Sequence, residues 1–259
     1  TGTDRSFDQG HDEENKNALQ TLGIKILPQD GSAISEDVDC LYVSTAVEDH
    51  IPDVKAAISK GIPIKKRSDL LAEIFHRYKN SIAVGGTSGK TTTTAMIGYI
   101  LDKLGQLPCM INGGLLRNYE NQPGIPNIIF NKGDICVIEA DESDGSIEKY
   151  HPYIAVINNI SLDHKPIPEL QKIFGDFAAR SEYGVVVNAD CEACKNIKHP
   201  HKKTVTFSLE NPRADFAAYN IKAIPGGTAY SLDGRNFRLN LIGRFNVANA
   251  LAAIAACSL

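Results

Sequence analysis

Apolar residues in the first 80 positions fall into short clusters divided by polar turns, the rhythm of a small parallel α/β unit. Ile24-Lys25-Ile26-Leu27 and Cys40-Leu41-Tyr42-Val43 read as short buried strands. Asp53 to Lys60 reads as a helix stopped by Gly61, followed by a strand at Ile62-Pro63-Ile64. Ser68 is placed to cap a helix from Asp69 to Tyr78, with Leu70, Leu71, Ile74 and Phe75 on its buried side. The polar stretch His76 to Asn80 reads as a linker, so residues 1–79 are expected to form one domain and 80–259 another.

The second domain opens with the apolar run Ser81-Ile82-Ala83-Val84, which breaks into glycines and then into a helix from Lys90 to Leu104. Met96, Ile97, Ile100, Leu101 and Leu104 recur at helical spacing, and Gly105 ends the run. Strands are expected at Ile135 to Glu139, Ile154 to Asn158 and Val185 to Val187, alternating with helical segments such as Pro168 to Arg180. That alternation predicts an α/β fold with a mostly parallel sheet. From Asp215 to Ile242 short alternating runs with turns at Gly226-Gly227 and Asp233-Gly234 predict a small region of antiparallel hairpins. A last helix is expected from Asn246 to Cys257. Both ends look cut: Thr1-Gly2-Thr3-Asp4-Arg5-Ser6 reads as the exit of a strand, and the chain stops soon after a helix that needs neighbours.

Charge narrows the partners. The 27 basic and 31 acidic residues among 259 leave no basic excess for a nucleic-acid backbone and no polybasic membrane patch. No apolar run approaches the roughly 18–20 residues of a membrane span. The N-terminus is polar and acidic (Asp8, Asp12, Glu13, Glu14), unlike a signal peptide, so the chain reads as a soluble, cytoplasmic protein. Of six cysteines, Cys191-x-x-Cys194 has metal or redox spacing, but no second pair completes a zinc site, and both read as ordinary reduced thiols. His199-Pro200-His201, in a run of lysines, reads as a solvated turn.

The chemistry concentrates at the ends of the predicted strands. In Gly85-Gly86-Thr87-Ser88-Gly89-Lys90-Thr91-Thr92-Thr93-Thr94 a strand breaks into glycines and starts a helix, leaving backbone N–H groups free to cradle polyphosphate. Lys90 would reach the outer phosphates of ATP, and the Thr91 hydroxyl would help hold Mg²⁺. The loop is shorter than the usual P-loop, whose first glycine would fall at Val84. A plain glycine turn capping a helix is the simpler reading, but strand, lysine and hydroxyls agree on a nucleotide site. Glu139 ends its strand and runs into Ala140-Asp141-Glu142-Ser143-Asp144-Gly145, where a nucleotide's metal is commonly anchored. These acids lack the spacing of a calcium loop, and an acidic solvated turn is the plainer alternative. The next strand leads to Asp163-His164, where His164 could serve a second metal or a phosphate. Asn246 and Asn249, three apart at a helix start, could turn both amides to an adenine or ribose, or cap the helix.

Together these motifs resemble the Mur ligase family of ATP-dependent amide-bond ligases. Gly86-Thr87-Ser88-Gly89-Lys90-Thr91-Thr92-Thr93 is similar to the family's shortened ATP loop, and Glu139-Ala140-Asp141-Glu142-Ser143-Asp144 to the strand-end motif of one branch. Asp163-His164 and the run Gly243-Arg244-Phe245-Asn246-Val247-Ala248-Asn249-Ala250 resemble its remaining two signatures. The resemblance implies a partial Rossmann-like N-terminal domain for a UDP-sugar, a central ATP domain, and a C-terminal domain that this chain does not contain. It implies ATP and Mg²⁺, with UDP-N-acetylmuramate and L-alanine, or a short peptide, joined through an acyl phosphate. Gly86, Thr87, Ser88, Gly89, Lys90, Thr91, Thr92, Asn246 and Asn249 would bind ATP, and Thr91, Glu139 and His164 the metals, with Lys90, Glu139 and His164 catalytic. Asp4, Ser44, Thr45 and Ala46 would face the UDP moiety. Ser88 stands where that branch usually carries histidine, and Lys165-Pro166-Ile167-Pro168 departs from its pattern. The carbamylated lysine of other branches would fall near Gly175, close to Lys172. A nucleotide-binding module without ligation is the alternative from another class.

Overall fold

The computed structural model describes all residues except 45–46, 121–124, 164, 196 and 198–201. It divides into two compact units, one of Thr1–Ile74 with Arg117–Pro126, the other of Phe75–Leu116 with Asn127–Leu259. In the first unit β1 (Gly2–Thr3), α1 (Arg5–Asp8), α2 (Glu13–Thr21) and β2 (Ile26–Leu27) are followed by β3 (Leu41–Val43), α3 (Pro52–Ser59), β4 (Ile64–Lys66) and α4 (Arg67–Phe75). β1 pairs in parallel with β2, and β3 with β4, as two separate short ladders. Asp53, buried in the first turn of α3, accepts from the Thr3 hydroxyl at 2.6 Å and the Gly31 N–H at 2.8 Å, tying three segments together. The expectation at Ser68 is corrected. α4 begins at Arg67, so Ser68 lies inside its first turn, and the Asp69 carboxylate reaches back to the Lys66 N–H at 2.8 Å to satisfy the helix start.

The second unit is built on an eight-stranded sheet. Its elements are β5 (Asn80–Gly85), α5 (Lys90–Lys103), β6 (Cys109–Ile111), β7 (Ile128–Phe130), β8 (Ile135–Glu139), β9 (Ile154–Ile157), α6 (Ile167–Arg180), β10 (Gly184–Asn188), β11 (Lys203–Ser208) and β12 (Phe216–Ala217). The strand order is β12-β11-β10-β9-β5-β8-β6-β7, parallel throughout except for β6 with β7. β13 (Tyr219–Ile224), β14 (Gly227–Leu232) and β15 (Arg235–Leu239) form the expected antiparallel meander, with Asp233 and Gly234 both at positive φ in the second turn. Phe216–Ala217, expected among the hairpins, instead extends the large sheet as a parallel edge strand.

The sheet's core is continuous apolar strand, with Ala83, Val84, Val137, Ile138, Val156 and Ile157 all inaccessible to solvent. α6 covers it with Phe174 and Phe177. α7 (Arg244–Cys257) is alanine-rich and buried on nearly every side, which small side chains permit where α5 packs on it. The chain reverses its direction across the sheet at β5. α5 leads to β6 on one side, whereas β9 to β12 extend on the other. In such sheets ligands sit outside the carboxyl strand ends at the reversal. No helix among the described residues is long and apolar enough to cross a membrane.

Candidate functional site

Register sets the site. Val84 pairs with Glu139, Gly85 with Ile157, and Val187 with Ile157, so Glu139, Gly85 and Asn188 end their strands, and Asn158 directly follows its own, at nearly one level. From that edge Gly86-Thr87-Ser88-Gly89 turns the chain into α5. Gly86 (φ 139°) and Gly89 (φ 82°) both lie in backbone that favours glycine. A Cβ at Gly86 would stand 3.0 Å from the Asn158 Cβ, and one at Gly89 would collide with the Asn249 carboxamide. The loop is held from one flank. Thr87 Oγ1 donates to Asn159 Oδ1 at 2.7 Å and accepts from the Ser161 N–H at 3.1 Å. The Ser88 N–H donates to Asn159 Oδ1 at 2.9 Å, and its carbonyl accepts from Asn159 Nδ2 at 3.0 Å.

The other flank carries charge. Lys90 folds back to donate to the Gly86 carbonyl at 2.8 Å and pairs with Glu142 at 3.0 Å, with Asp141 4.0 Å away. Glu142 is only 4 % exposed, so Lys90 is its internal counter-ion. Thr91 Oγ1 donates to Glu139 Oε2 at 2.8 Å, and the Gly113 N–H donates to Glu139 Oε1. Gly113 and Gly114 let their loop come this close, since a Cβ on either would stand 2.9 Å from Glu139 or from Thr91. Two carboxylates beside the one ammonium, with Glu139 held by neutral donors, leave a surplus of negative charge, and Thr91 and Glu139 offer two oxygens side by side. Among the described residues no group of three or more His, Cys, Asp or Glu forms a metal cage. The donor set therefore suits a hard cation that takes its remaining ligands from water and phosphate, as Mg²⁺ does.

Beyond Gly89 opens a cleft of about 420 Å³ lined by Ser88, Asn158, Asn159, Asn188, Phe207 and, from α7, Phe245, Ala248 and Asn249. Its polar side chains are uncharged. Asn158 is buried, donating to Thr93 Oγ1 at 2.8 Å while its own Oδ1 has no hydrogen-bond partner among the described residues. Asn249 reaches the cleft, but Asn246 stands behind it, accepting from Asn249 Nδ2 at 3.3 Å and donating to the Ile242 carbonyl at 2.9 Å. The two amides form a relay rather than a shared face. Thr92 lies half-buried in the first turn of α5.

The structure thus brings together Gly86, Thr87, Ser88, Gly89, Lys90, Thr91, Glu139 and Asn249. His164, Thr45 and Ala46 lie outside the described residues, as do His199 and His201. Asp4 and Ser44 are exposed in the first unit, where Asp4 caps α1 by accepting from the Ser6 N–H at 2.8 Å. Lys172 pairs with Asp176 at 2.8 Å on an exposed face of α6. Sequence reasoning missed Glu142 as the partner of Lys90, and the clamp made by Asn158 and Asn159. The signal for the clamp was a pair of amides directly after an apolar strand. Gly113-Gly114 behind Ile111 was a similar signal.

The chain is similar to known proteins along most of its length. Residues 84–257 match the Mur ligase middle domain, and residues 8–79 match a model described as the Mur ligase family, catalytic domain. The UDP-N-acetylmuramate–L-alanine ligase of a Cyanothece species is 38% identical over 255 residues, covering 92% of this chain and 51% of that protein. The ligase of the same name from Thermosynechococcus vestitus is 39% identical over 252 residues, with 92% and 51% covered. The chain therefore spans about half the length of the curated relatives it matches. Among solved structures, the UDP-N-acetylmuramate-alanine ligase MurC of Thermotoga maritima superposes with a TM-score of 0.79 at 26% identity, over 96% of this chain and 60% of that one. The UDP-N-acetylmuramate:L-alanyl-gamma-D-glutamyl-meso-diaminopimelate ligase of Neisseria meningitides gives 0.77 at 25% identity, over 93% and 81%.

Proposed function

The chain belongs to the Mur ligase family, and on that premise we propose that it is the UDP-sugar- and ATP-binding part of an ATP-dependent carboxylate–amine ligase of peptidoglycan precursor synthesis. In this reading residues 1–79 serve the UDP-sugar, with Asp4, Ser44, Thr45 and Ala46 toward the UDP, and residues 80–259 bind ATP. The carboxylate of UDP-N-acetylmuramate takes the γ-phosphoryl group, and the amine of L-alanine then displaces phosphate to form the amide. Such a reaction draws on ATP and a UDP-linked sugar, which places it in the cytoplasm.

The chain's own residues divide the work. Lys90 leaves Glu142 to meet the β- and γ-phosphates, while the N–H groups from Gly89 to Thr91 cradle them. Thr91 and Glu139 hold Mg²⁺, which when bound offsets charge on the phosphates. His164 serves a second metal or the acyl phosphate. Asn249, braced by Asn246, contacts the base or ribose beside Ser88 and Gly89. The observation that carries the reading is the pairing of Lys90 with Glu142 and of Thr91 with Glu139 at one strand edge, across a loop where only glycine fits.

Phosphate release by the protein bearing this chain tests it, with ATP, Mg²⁺ and UDP-N-acetylmuramate present. L-alanine and the tripeptide L-Ala-γ-D-Glu-meso-diaminopimelate are supplied separately. Release that requires L-alanine supports the reading. Release only with the tripeptide moves the acceptor to a preformed peptide, and release indifferent to either acceptor excludes ligation.

A further inference from the structure

Cys191 and Cys194 stand at the carboxyl end of β10, outside the machinery described above. The Cys194 N–H donates to the Cys191 carbonyl at 3.0 Å, closing a four-residue turn. Such a turn holds its end Cα atoms within about 7 Å, overlapping the roughly 4.4–6.8 Å spanned by disulfides. The two thiols sit at the ends of this turn, and each bears on the other's acidity. They are unequal: Cys191 is half-exposed, whereas Cys194 is fully buried. Cys191 Sγ also accepts from the Ile160 N–H at 3.3 Å and lies 3.5 Å from the Ile160 carbonyl oxygen. Ile160 sits between Asn159 and Ser161, the two residues that hold Thr87 of the glycine loop.

We propose that Cys191 and Cys194 form a redox-active dithiol whose oxidation by peroxide loosens the clamp on the glycine loop and weakens nucleotide binding. An accessible thiol beside a buried partner is the arrangement in which one sulfur attacks and the other resolves. The hydrogen bond from Cys194, with backbone N–H groups of Ile160, Cys194 and Ala193, pulls the Cys191 thiol down to about 6 against the effect of burial. The Cys191 thiolate attacks one oxygen of hydrogen peroxide. The O–O bond breaks, hydroxide leaves and takes up a proton as water, and sulfur is oxidised to the sulfenic acid. The Cys194 sulfur then attacks Cys191, the S–S bond forms as the S–O bond breaks, and the Cys194 proton leaves in a second water. With the sulfur drawn toward Cys194, the Ile160 N–H loses its acceptor.

The sulfur chemistry stands on its own, and the coupling rests on the nucleotide reading above. The experiment treats the chain with hydrogen peroxide, maps its peptides by mass spectrometry, and titrates ATP with Mg²⁺ before and after. The expected result is a Cys191–Cys194 peptide two hydrogens lighter, and an ATP affinity about fivefold lower that dithiothreitol restores, the size of one hydrogen bond. Cys194→Ser should stop at a sulfenic acid trapped by dimedone, and Cys191→Ser should give neither product. Alkylation of Cys191 should rise through a midpoint near 6 as pH increases. Oxidation appearing first at Cys40 or Cys257, or a bound zinc ion occupying both sulfurs, would overturn the proposal. A disulfide with unchanged ATP affinity would overturn the coupling. If the reduced chain fails to bind ATP at all, the nucleotide reading fails while the dithiol chemistry is still read from the peptides.

Discussion

The two flanks of the glycine loop are built from opposite chemistry. On the side of β8, Lys90, Glu139, Asp141 and Glu142 are charged and already engaged with each other or with Thr91 and Gly113. Toward β9, β10 and α7, Asn158, Asn159, Asn188, Asn246 and Asn249 offer only neutral amides, hydrogen-bonded to backbone, to a hydroxyl or, for Asn246 and Asn249, to each other. Charges in a partly buried site need partners in every state, so the charged flank must exchange internal ion pairs for ligand contacts. The amides need no such exchange. They hold the loop in shape beforehand, and only Asn249 and its neighbours around the cleft remain to meet a neutral group. Under the proposed reading the charged flank supplies phosphate and metal affinity, and the amide flank supplies placement.

Substitutions on the charged flank should therefore act most strongly. Lys90→Ala is expected to cut ATP-dependent phosphate release by about 10²–10³-fold. It also strands Glu142 in a buried position, which costs roughly 2–4 kcal/mol of stability. Lys90→Met with Glu142→Gln should recover that stability in a thermal melt but not the turnover, separating the ion pair's structural part from its chemical one. Glu139→Gln comes next. Mg²⁺-dependent ATP affinity should fall about tenfold, while affinity for metal-free ATP holds or rises as one negative charge is removed. Asn249→Ala should have the smallest effect, about a fivefold loss of ATP affinity with no change in its Mg²⁺ or salt dependence. An Asn249→Ala loss as large as that of Lys90→Ala, or one that depends on Mg²⁺, would break the division between the flanks.

Much of this site is legible in the sequence because each part has a local signature. Ser81 to Leu104 announces strand, glycine turn and helix in succession, and the structure follows it to within a residue or two at each end. Glu139 is legible because it ends an unbroken apolar run. Glu142 is not, because an acidic turn and a buried counter-ion are written with the same letters. Only the fold places it 3.0 Å from Lys90. Asn246 misleads for a related reason: spacing puts it on the face of Asn249, but the Ile242 carbonyl captures it. Among the elements, α2 is mostly polar, with only Ala18 and Leu19 apolar and no residue fully buried, so periodicity marks it weakly. β6 and β7 have three residues each, too short to show alternation. β11 does alternate, in Lys203-Thr204-Val205-Thr206-Phe207-Ser208, but its basic approach disguises it as a continuation of a solvated turn.

Calorimetric titration of the chain with ATP and Mg²⁺, beside the same titration of Lys90→Met with Glu142→Gln, tests the central claim most directly. The account predicts saturable one-to-one binding by the unaltered chain and an affinity lower by about 10–100-fold in a variant that melts at nearly the same temperature. Equal binding by both, or no binding by the unaltered chain, would contradict it.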